Sequence, residues 1–289
     1  MGGGAEIHHR GKGGGVSIVD SDPILTDVEI MDNYAGKYGG GVYLLYSSAS
    51  FTDFTISGNI GSGSLQKGGG VSCESTPNAT FTEGFIVDNV GPYLGGGIAV
   101  SPAMYDSSSF HVELTNVLIQ NNTSRQWGGG IYGSYMSLSG CTIKGNTAES
   151  QGGGIYSDGT WGDSGSFLTM DGCSIDNNTS DYVAGGLGLY NVHENTTNIS
   201  NTSISGNTGE ISAISSYLSG SLNLDNVVIQ NNISTNGEPT VKHISDDGYP
   251  FTSLFNRVEI TDNNTPALHF YSDRWGDNLN LNHCTIANN

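Results

Sequence analysis

Positive charge is scarce in this sequence. Only nine Lys and Arg stand against 28 Asp and Glu, and the formal net charge of the 289 residues is −19 at pH 7. Such a surface repels the phosphates of nucleic acids and anionic membrane surfaces. Polyuronate chains are repelled as well, unless divalent cations bridge one carboxylate to another. The charge therefore argues against nucleic acid as a partner.

Long apolar segments are also missing. A membrane-spanning helix needs about 18 or more consecutive apolar residues, and the sequence contains no such run. We therefore expect no membrane insertion of this segment. Met1 is not followed by a basic and apolar leader, so we expect any secretion signal to lie outside the sequence.

What the sequence has is a short motif, repeated almost from end to end. Ten times an isoleucine is followed three residues later by an asparagine, and successive asparagines are 24 to 33 residues apart. The motifs are Ile30/Asn33, Ile56/Asn59, Ile86/Asn89, Ile119/Asn122, Ile143/Asn146, Ile175/Asn178, Ile204/Asn207, Ile229/Asn232, Ile260/Asn263 and Ile286/Asn289. This period is typical of a solenoid, whose repeats stack to bury a continuous core. We therefore expect one β-helix domain covering residues 1–289, as a segment of a longer secreted protein.

Each repeat predicts two strands that meet at a corner. With the isoleucine as position 0, position −5 is apolar in all ten repeats, and position −2 is apolar or small except at Thr202. The step from −2 to 0 is strand alternation, whereas the step from −5 to −2 breaks it, so a one-residue bend must lie between them. Position −3 fits that bend because most of its residues tolerate a left-handed backbone. Those residues are Asp27, Asp53, Glu83, Asn116, Gly140, Gly172, Asn201, Asn226, Arg257 and His283.

A third strand follows a glycine segment. Three consecutive glycines precede a valine or isoleucine in six repeats, and residues 185–187 form a shortened copy. The residues after the glycines alternate again, as in Val42 and Leu44. Three short strands per turn, each paired in parallel with its copies above and below, predict an all-β parallel β-helix of about ten turns. The stacked asparagines are expected to bond to one another as an Asn ladder.

Cysteine is rare, with only four residues. Cys141, Cys173 and Cys284 stand at position −2, where other repeats carry valine or phenylalanine, so they are best interpreted as small buried apolar residues. Cys141 and Cys173 belong to adjacent turns. Stacked side chains that point the same way rarely reach the dihedral angle of a disulfide, however, so we expect free thiols rather than a bridge.

The repeat resembles those of a group of bacterial surface proteins. Its best copies are residues 141–148, Cys-Thr-Ile-Lys-Gly-Asn-Thr-Ala, and residues 152–156, Gly-Gly-Gly-Ile-Tyr. They are similar to repeats of right-handed parallel β-helices, especially the paired Gly-Gly-Ala-Ile and Phe-x-x-Asn motifs of polymorphic outer-membrane proteins, with Gly in place of Ala and Ile in place of Phe. The resemblance covers nearly all of residues 13–289. It implies a right-handed, pectin-lyase-like superhelix, secretion, and adhesion or surface display, although some β-helix relatives are polysaccharide lyases or glycosidases.

Tyrosines favour a ligand-binding face on the glycine strands. Their rings occupy outward positions, as Tyr43 does, and offer flat apolar surfaces with a polar tip to a sugar. Tyrosine also favours strands for its own sake, so ordinary strand residues are the alternative. With two tryptophans of the longest loops added, the predicted ligand-binding residues are Tyr132, Tyr156, Trp161, Tyr190, Tyr217, Tyr271 and Trp275.

Carboxylates in and beside the same loops suggest a metal site. Oxygen ligands near glycine turns suit Ca²⁺, although the spacing is neither that of an EF-hand loop nor that of a calcium nonapeptide repeat. Asp-Gly turns are the alternative explanation. The candidate ligands are Asp158, Asp163, Asp246, Asp247, Asp273 and Asp277.

A weaker pattern points to catalysis. Lys242 and His269 occupy outward positions of two glycine strands, close in sequence to Asp246, Asp247 and Arg274. A polysaccharide lyase needs a base and a group that neutralises a carboxylate, and these residues could supply both. Charges scattered in loops more often serve solvation, which is the alternative.

The sequence therefore favours a non-catalytic β-helix scaffold or adhesin, extracellular or on the outer cell surface. Its expected partners are a polysaccharide or a host cell-surface glycan. Because the sequence ends on a repeat, at residues 286–289, flanking β-helix turns or a capping domain are expected too. A polysaccharide lyase or glycoside hydrolase acting in the same groove is the alternative function. Insertions cluster after the glycine strands and mark the face where either function would reside.

Overall fold

The chain folds as a right-handed parallel β-helix of about nine turns. The computed structural model describes residues 13–62, 67–76, 78–101, 111–158, 168–191, 196–218, 220–245, 252–272 and 276–289. All regular structure within these ranges is β, and every strand pairs in parallel with its copies in neighbouring turns. The predicted fold class is confirmed, with ten turns a close approximation.

Sheet 1 is formed by the strands that follow the glycine segments. It has ten strands, and its register aligns the first residue after each glycine segment, as in Val16 opposite Val42 and Ile98 opposite Ile131. The strands are Val16–Val19, Val42–Leu45, Val71–Glu74, Ile98–Ser101, Ile131–Tyr132, Ile155–Asp158, Leu187–Asn191, Ile214–Leu218, Val241–Ser245 and Leu268–Ser272. The third predicted strand is therefore confirmed.

Sheet 2 contains both strands that surround the predicted corner. In four repeats one strand runs through the corner: Ile24–Met31, Ser50–Ser57, Asn78–Val87 and His111–Gln120. In later repeats the strands before the corner are Met136–Ser139, Leu168–Asp171, Thr196–Ser200, Ser221–Asp225, Thr252–Asn256 and Asn278–Asn282. Those after it are Thr142–Lys144, Ser174–Asp176, Ser203–Ser205, Val228–Gln230, Glu259–Thr261 and Thr285–Ala287.

Sheet 3 consists of eight two-residue strands that begin directly after a repeat asparagine. They are Tyr34–Ala35, Ile60–Gly61, Val90–Gly91, Thr123–Ser124, Thr147–Ala148, Thr179–Ser180, Thr208–Gly209 and Ile233–Ser234. Two residues are too few to show alternation, so the sequence pattern does not predict this sheet.

The corner at position −3 is confirmed in all ten repeats, where φ lies between 49° and 63°. A second left-handed position, absent from the sequence prediction, follows each repeat isoleucine by two residues. It too occurs ten times, with φ between 52° and 63°, at Asp32, Gly58, Asp88, Asn121, Gly145, Asn177, Gly206, Asn231, Asp262 and Asn288. Asp, Asn and Gly dominate this position because they tolerate the left-handed region best.

The repeat asparagines bond to one another from turn to turn. Both the backbone N–H and the Nδ2 of Asn122 donate to Asn146 Oδ1, at 2.9 and 3.0 Å. Asn122 Nδ2 also donates to the carbonyl of Ile86 at 2.8 Å. The pattern recurs at the other turns, for example from Asn178 to Asn207. These buried amides are thereby satisfied, which removes the cost of taking them out of water.

The core lies between the three sheets and is filled by the predicted inward residues. Phe51 and Phe81 stack with ring centroids 5.0 Å apart and 9° between their planes, and Phe54 meets both edge-on. Cys141 and Cys173 are buried free thiols that donate to the carbonyls of Leu114 and Leu138 in the preceding turn. Cys284, in the last turn, is half-buried and also free.

Candidate functional site

The outward side of sheet 1 carries two columns of side chains. The register of the strands defines them, because outward residues two apart in one strand align with those of the next turn. The first column contains Ser17, Tyr43, Ser72, Ala99, Tyr132, Tyr156, Gly188, Ser215, Lys242 and His269. The second contains Asp158, Tyr190, Tyr217, Ile244 and Tyr271 in its later turns.

The predicted tyrosines are divided between these columns. In the first column Tyr43 and Tyr156 are buried and Tyr132 is half-buried. In the second, Tyr190, Tyr217 and Tyr271 are 38%, 37% and 51% exposed. The tyrosines therefore do not form one continuous exposed face, and the accessible rings are confined to the second column.

Tyr132 and Tyr156 of the first column form an aromatic stack with Trp127. The ring centroid of Trp127 is 6.2 Å from that of Tyr132 and 5.5 Å from that of Tyr156. The centroids of the two tyrosine rings are 6.2 Å apart, with 9° between their planes. Tyr190 and Tyr217 form a separate pair, 5.5 Å apart and also at 9°. Within each stack the ring faces cover one another, which leaves rims, hydroxyls and end faces for a ligand.

The first column is interrupted immediately after Tyr156. There the aligned residues shrink to Gly188 and Ser215 before the column resumes with Lys242. A Cβ atom on Gly188 would lie 2.8 Å from Tyr156 Cδ2, so a side chain at this position would displace the ring. The small residues leave a gap two turns long between an aromatic ring and a cation.

This gap is a groove with a volume of about 270 Å³. It brings together three predicted ligand-binding tyrosines and one predicted catalytic lysine, along with residues that the sequence prediction missed. The lining consists of Gln151, Tyr156, Val183, Gly188, Leu189, Tyr190, Ile211, Ser215, Ser216, Tyr217, Lys242 and Ile244. The one sequence signal for it is the glycine between two core leucines, at residues 187–189.

Lys242 stands at the far end of the groove from Tyr156. Its Nζ donates to Glu238 Oε2 at 2.8 Å, and the lysine side chain is 23% exposed against 41% for the glutamate. His269 follows Lys242 in the first column and is exposed. The predicted catalytic residues Asp246, Asp247 and Arg274 lie outside the described residues.

Asp158 lies outside the groove lining, beyond the Tyr156 end and one turn before Tyr190 in the second column. Its carboxyl is half-buried, and burial raises the pKa of Asp158 to about 6, while the hydrogen bond from the Tyr132 hydroxyl at 3.4 Å opposes the shift. Burial also raises the pKa of Tyr132 and of Tyr156 above the ordinary tyrosine value. Both phenols are therefore neutral donors at physiological pH.

The candidate calcium ligands are only partly placed. Asp163, Asp246, Asp247 and Asp273 lie outside the described residues, as do Trp161 and Trp275. Asp158 lies one turn before Tyr190, just outside the groove lining, whereas Asp277 is in the last turn, hydrogen-bonded to Ser272. Over the ranges that the structure describes, no three His, Cys, Asp or Glu side chains are arranged to hold a metal ion. Ca²⁺ thus remains a prediction.

No helix in the described part of the chain is long and apolar enough to cross a membrane.

Residues 116–134 and 140–158 match the Chlamydia polymorphic membrane protein (Chlamydia_PMP) repeat. The matched segments contain the asparagines Asn122 and Asn146 and the glycine segments that begin at Gly128 and Gly152. The resemblance of the repeat to that family is therefore confirmed. No curated protein matches the chain at a significant level.

Three solved structures are similar to the chain at low identity. A double mutant of the periplasmic alginate epimerase AlgG is 13% identical with a TM-score of 0.49, over 94% of this chain and 70% of that one. Another AlgG structure is 10% identical with a TM-score of 0.33, over 92% and 77% of the two chains. A hyper-glycosylated fragment of TibA is 10% identical with a TM-score of 0.15, over 91% and 99%. At these values the similarities assign no activity to this chain.

Proposed function

We propose that the chain is a β-helix scaffold displayed on a bacterial cell surface, and that the groove between Tyr156 and Lys242 binds a glycan without cleaving it. The observation that carries the proposal is the gap in the first column. A ring-shaped ligand placed over Gly188 and Ser215 meets Tyr156 at one end and Tyr190 and Tyr217 along one side. Aromatic rings that also carry hydroxyls offer the combination of apolar and polar surface that suits a sugar.

The groove volume bears on the size of the ligand. At about 270 Å³ it falls just below the range of roughly 300–1,000 Å³ that pockets for drug-sized molecules occupy. One sugar unit fills such a space, and the remainder of a glycan would extend along the solenoid. Recognition of a terminal or single internal sugar follows.

The lining also favours binding over hydrolysis. Glycoside hydrolases act with two carboxyl groups that flank the scissile bond, about 5–10 Å apart. None of the groove-lining residues that the structure describes is an aspartate or glutamate. The charged group among these described residues is the ammonium of Lys242, which is paired with Glu238.

Cell-surface display is supported by the match of residues 116–134 and 140–158 to polymorphic membrane protein repeats. A solenoid suits this role because its stacked turns hold a lateral groove on a rigid, elongated support. Detection of the chain on intact cells by an antibody, and its removal by external protease, test the location. An exclusively cytoplasmic location would contradict it.

Binding is tested with a glycan array followed by titration calorimetry on each hit. In a Tyr190→Ala/Tyr217→Ala double variant we expect the affinity to fall by about 10-fold or more, because each aromatic contact contributes about 0.5–1.5 kcal/mol. Tyr34→Ala is the matched control, since Tyr34 is 66% exposed and lies on sheet 3. Equal losses in both variants would contradict the assignment to this groove.

Turnover is measured on the same glycans, by release of reducing ends and of unsaturated products. We expect binding without release. Product formation that disappears in Lys242→Ala would replace the scaffold with the polysaccharide lyase or glycosidase that is the alternative function.

A further inference from the structure

The charges around the groove are distributed unevenly. Among the groove-lining residues that the structure describes, Lys242 is the one with a charged side chain, in a sequence with nine Lys and Arg and a net charge of −19. A cation in such a setting is conspicuous, because an uncharged sugar requires none. Its place at one end of the gap, opposite Tyr156, puts it where a substituent of a bound ring would project.

The Lys242 ammonium has more N–H donors than its ion pair with Glu238 uses. One of its N–H groups donates to Glu238 Oε2 at 2.8 Å, and an ammonium has three. Glu238 is the more exposed partner of the pair, so water can replace it at little cost. A ligand carboxylate could then share the lysine with Glu238 or displace it.

A carboxyl group lies just beyond the opposite end of the groove. The Asp158 carboxyl is one step before Tyr190 in the second column, and Ile244, two residues after Lys242 in the same strand, is three steps beyond Asp158. At about 4.8 Å per step this separates the two ends by about 14 Å. An anion is therefore disfavoured near Tyr156 and favoured near Lys242, which orients an acidic ligand along the solenoid.

We propose that the glycan recognised by this groove is acidic, and that Lys242 receives the carboxylate of a uronic or sialic acid unit while Asp158 excludes that unit from the Tyr156 end. This assignment rests on the proposed function, since it names the class of sugar for the same groove. It makes Lys242 and Asp158 the residues that determine specificity. The overall negative charge still slows the approach of such a ligand, so the recognition is local rather than a consequence of net charge.

The test compares acidic glycans with neutral partners that differ only at the acid. The probes are 3′-sialyllactose against lactose, and trigalacturonate against its carboxyl-reduced product, each titrated into the wild-type chain. We expect the acidic member of at least one pair to bind about 10-fold more tightly, as hydrogen bonds to charged groups allow. Raising the salt concentration should narrow the difference, because the groove is open to solvent.

Substitutions then assign the preference to particular residues. Lys242→Gln should reduce the acidic-to-neutral affinity ratio by about 10-fold, whereas Glu238→Gln and Asp158→Asn should each increase it by about 2- to 5-fold. Lys144→Gln is the matched control, since Lys144 is exposed on sheet 2, and it should leave the ratio unchanged. Circular dichroism melts of each variant establish that it is folded.

The possible failures are distinguishable. If neither member of either pair binds wild type, and no glycan on the array does, the proposed function is wrong and the acid preference with it. If glycans bind but the neutral members bind as well as the acidic ones, or if Lys242→Gln keeps the acidic preference, the groove still binds glycans and only the acidic class is overturned. Glu238→Gln provides an independent check, because an unchanged ratio in that variant also contradicts the role of the lysine.

Discussion

Glycine is required at position 188 by the neighbouring Tyr156 ring rather than by the backbone conformation. Its φ is outside the left-handed region, so alanine is accommodated by the main chain, but the added Cβ would lie 2.8 Å from Tyr156 Cδ2. We expect Gly188→Ala to push that ring and narrow the groove, and to weaken glycan binding by about 10-fold or more while the fold persists. This magnitude corresponds to the loss of roughly 1.4 kcal/mol.

Calorimetric titration with the best array hit measures this effect, and a thermal melt checks the fold. Gly36→Ala serves as the control, because a Cβ there has no neighbour within 4 Å and φ is likewise unremarkable. Unchanged affinity in Gly188→Ala would mean that the ligand does not occupy the gap.

His243 is a second residue whose surroundings decide its chemistry. It is fully buried, with Nδ1 2.8 Å from the Ser216 hydroxyl and Nε2 2.9 Å from that of Ser253. Burial lowers the pKa of His243 to about 4, against 6.5 for a free histidine, while the charge of Asp277 acts in the opposite direction. As the pH falls below 6.5, the unfolded chain binds the proton first, so this residue makes the fold less stable between pH 6.5 and 4.

Because of this residue, we expect the free energy of unfolding to be about 2 kcal/mol lower at pH 5 than at pH 7. Asp158 acts in the reverse direction, since its pKa is raised to about 6, but its contribution cancels when wild type is compared with His243→Gln. Urea unfolding at the two pH values measures the difference. If His243→Gln shows the same pH dependence as wild type, the neutral buried imidazole is not its cause.

The corners and strands show which parts of the fold can be predicted from a sequence repeat. The inward positions −5, −2 and 0 and the corner at −3 are visible because the same residue class recurs at each of them in all or most of the ten turns. The second left-handed position, for example Asp88 or Asn121, escaped prediction because it adjoins the asparagine and was absorbed into that bend. The groove was not predicted because it depends on Gly188 and Ser215 in two particular turns, whereas the repeat shows only the features that all turns have in common.

The left-handed corner offers a test of its own. Asn116 has a φ of 54°, a conformation that costs an ordinary side chain about 1–2 kcal/mol. We expect Asn116→Val to reduce the free energy of unfolding by at least that amount, since a β-branched residue suits this region least. Asn116→Gly should stay within a few tenths of a kcal/mol of wild type or above it.

Thr115→Val is the matched control, because Thr115 is the preceding outward residue and is half-buried in a strand that pairs on both sides. Urea denaturation of the three variants gives the comparison. Equal destabilisation by the two valines would show that position 116 has no special backbone requirement.

Along the whole molecule, stability is a sum of turns and of the contacts between adjacent turns. The asparagine column makes those contacts directional: Asn146 Oδ1 accepts two hydrogen bonds from Asn122, and Asn146 Nδ2 donates to Ile119 and to Asn178. Asn33, in the first described turn, donates twice to Asn59 Oδ1 and is only half-buried. The same substitution should therefore cost more in the middle of the solenoid than near its end.

We expect Asn146→Ala to reduce the free energy of unfolding by about 2–4 kcal/mol. The substitution leaves the buried N–H groups of Asn122 without their acceptor, and it also removes the hydrogen bonds that the Asn146 side chain donates. Asn33→Ala should cost about 1–2 kcal/mol. Asn146 lies at the interface between two halves of a one-dimensional stack, so its loss weakens the coupling between those halves. The urea transition of Asn146→Ala should therefore broaden, with a lower m-value, whereas Asn33→Ala should keep the m-value of wild type. Equal costs and equal slopes would mean that the strands alone, and not the asparagine column, couple one turn to the next.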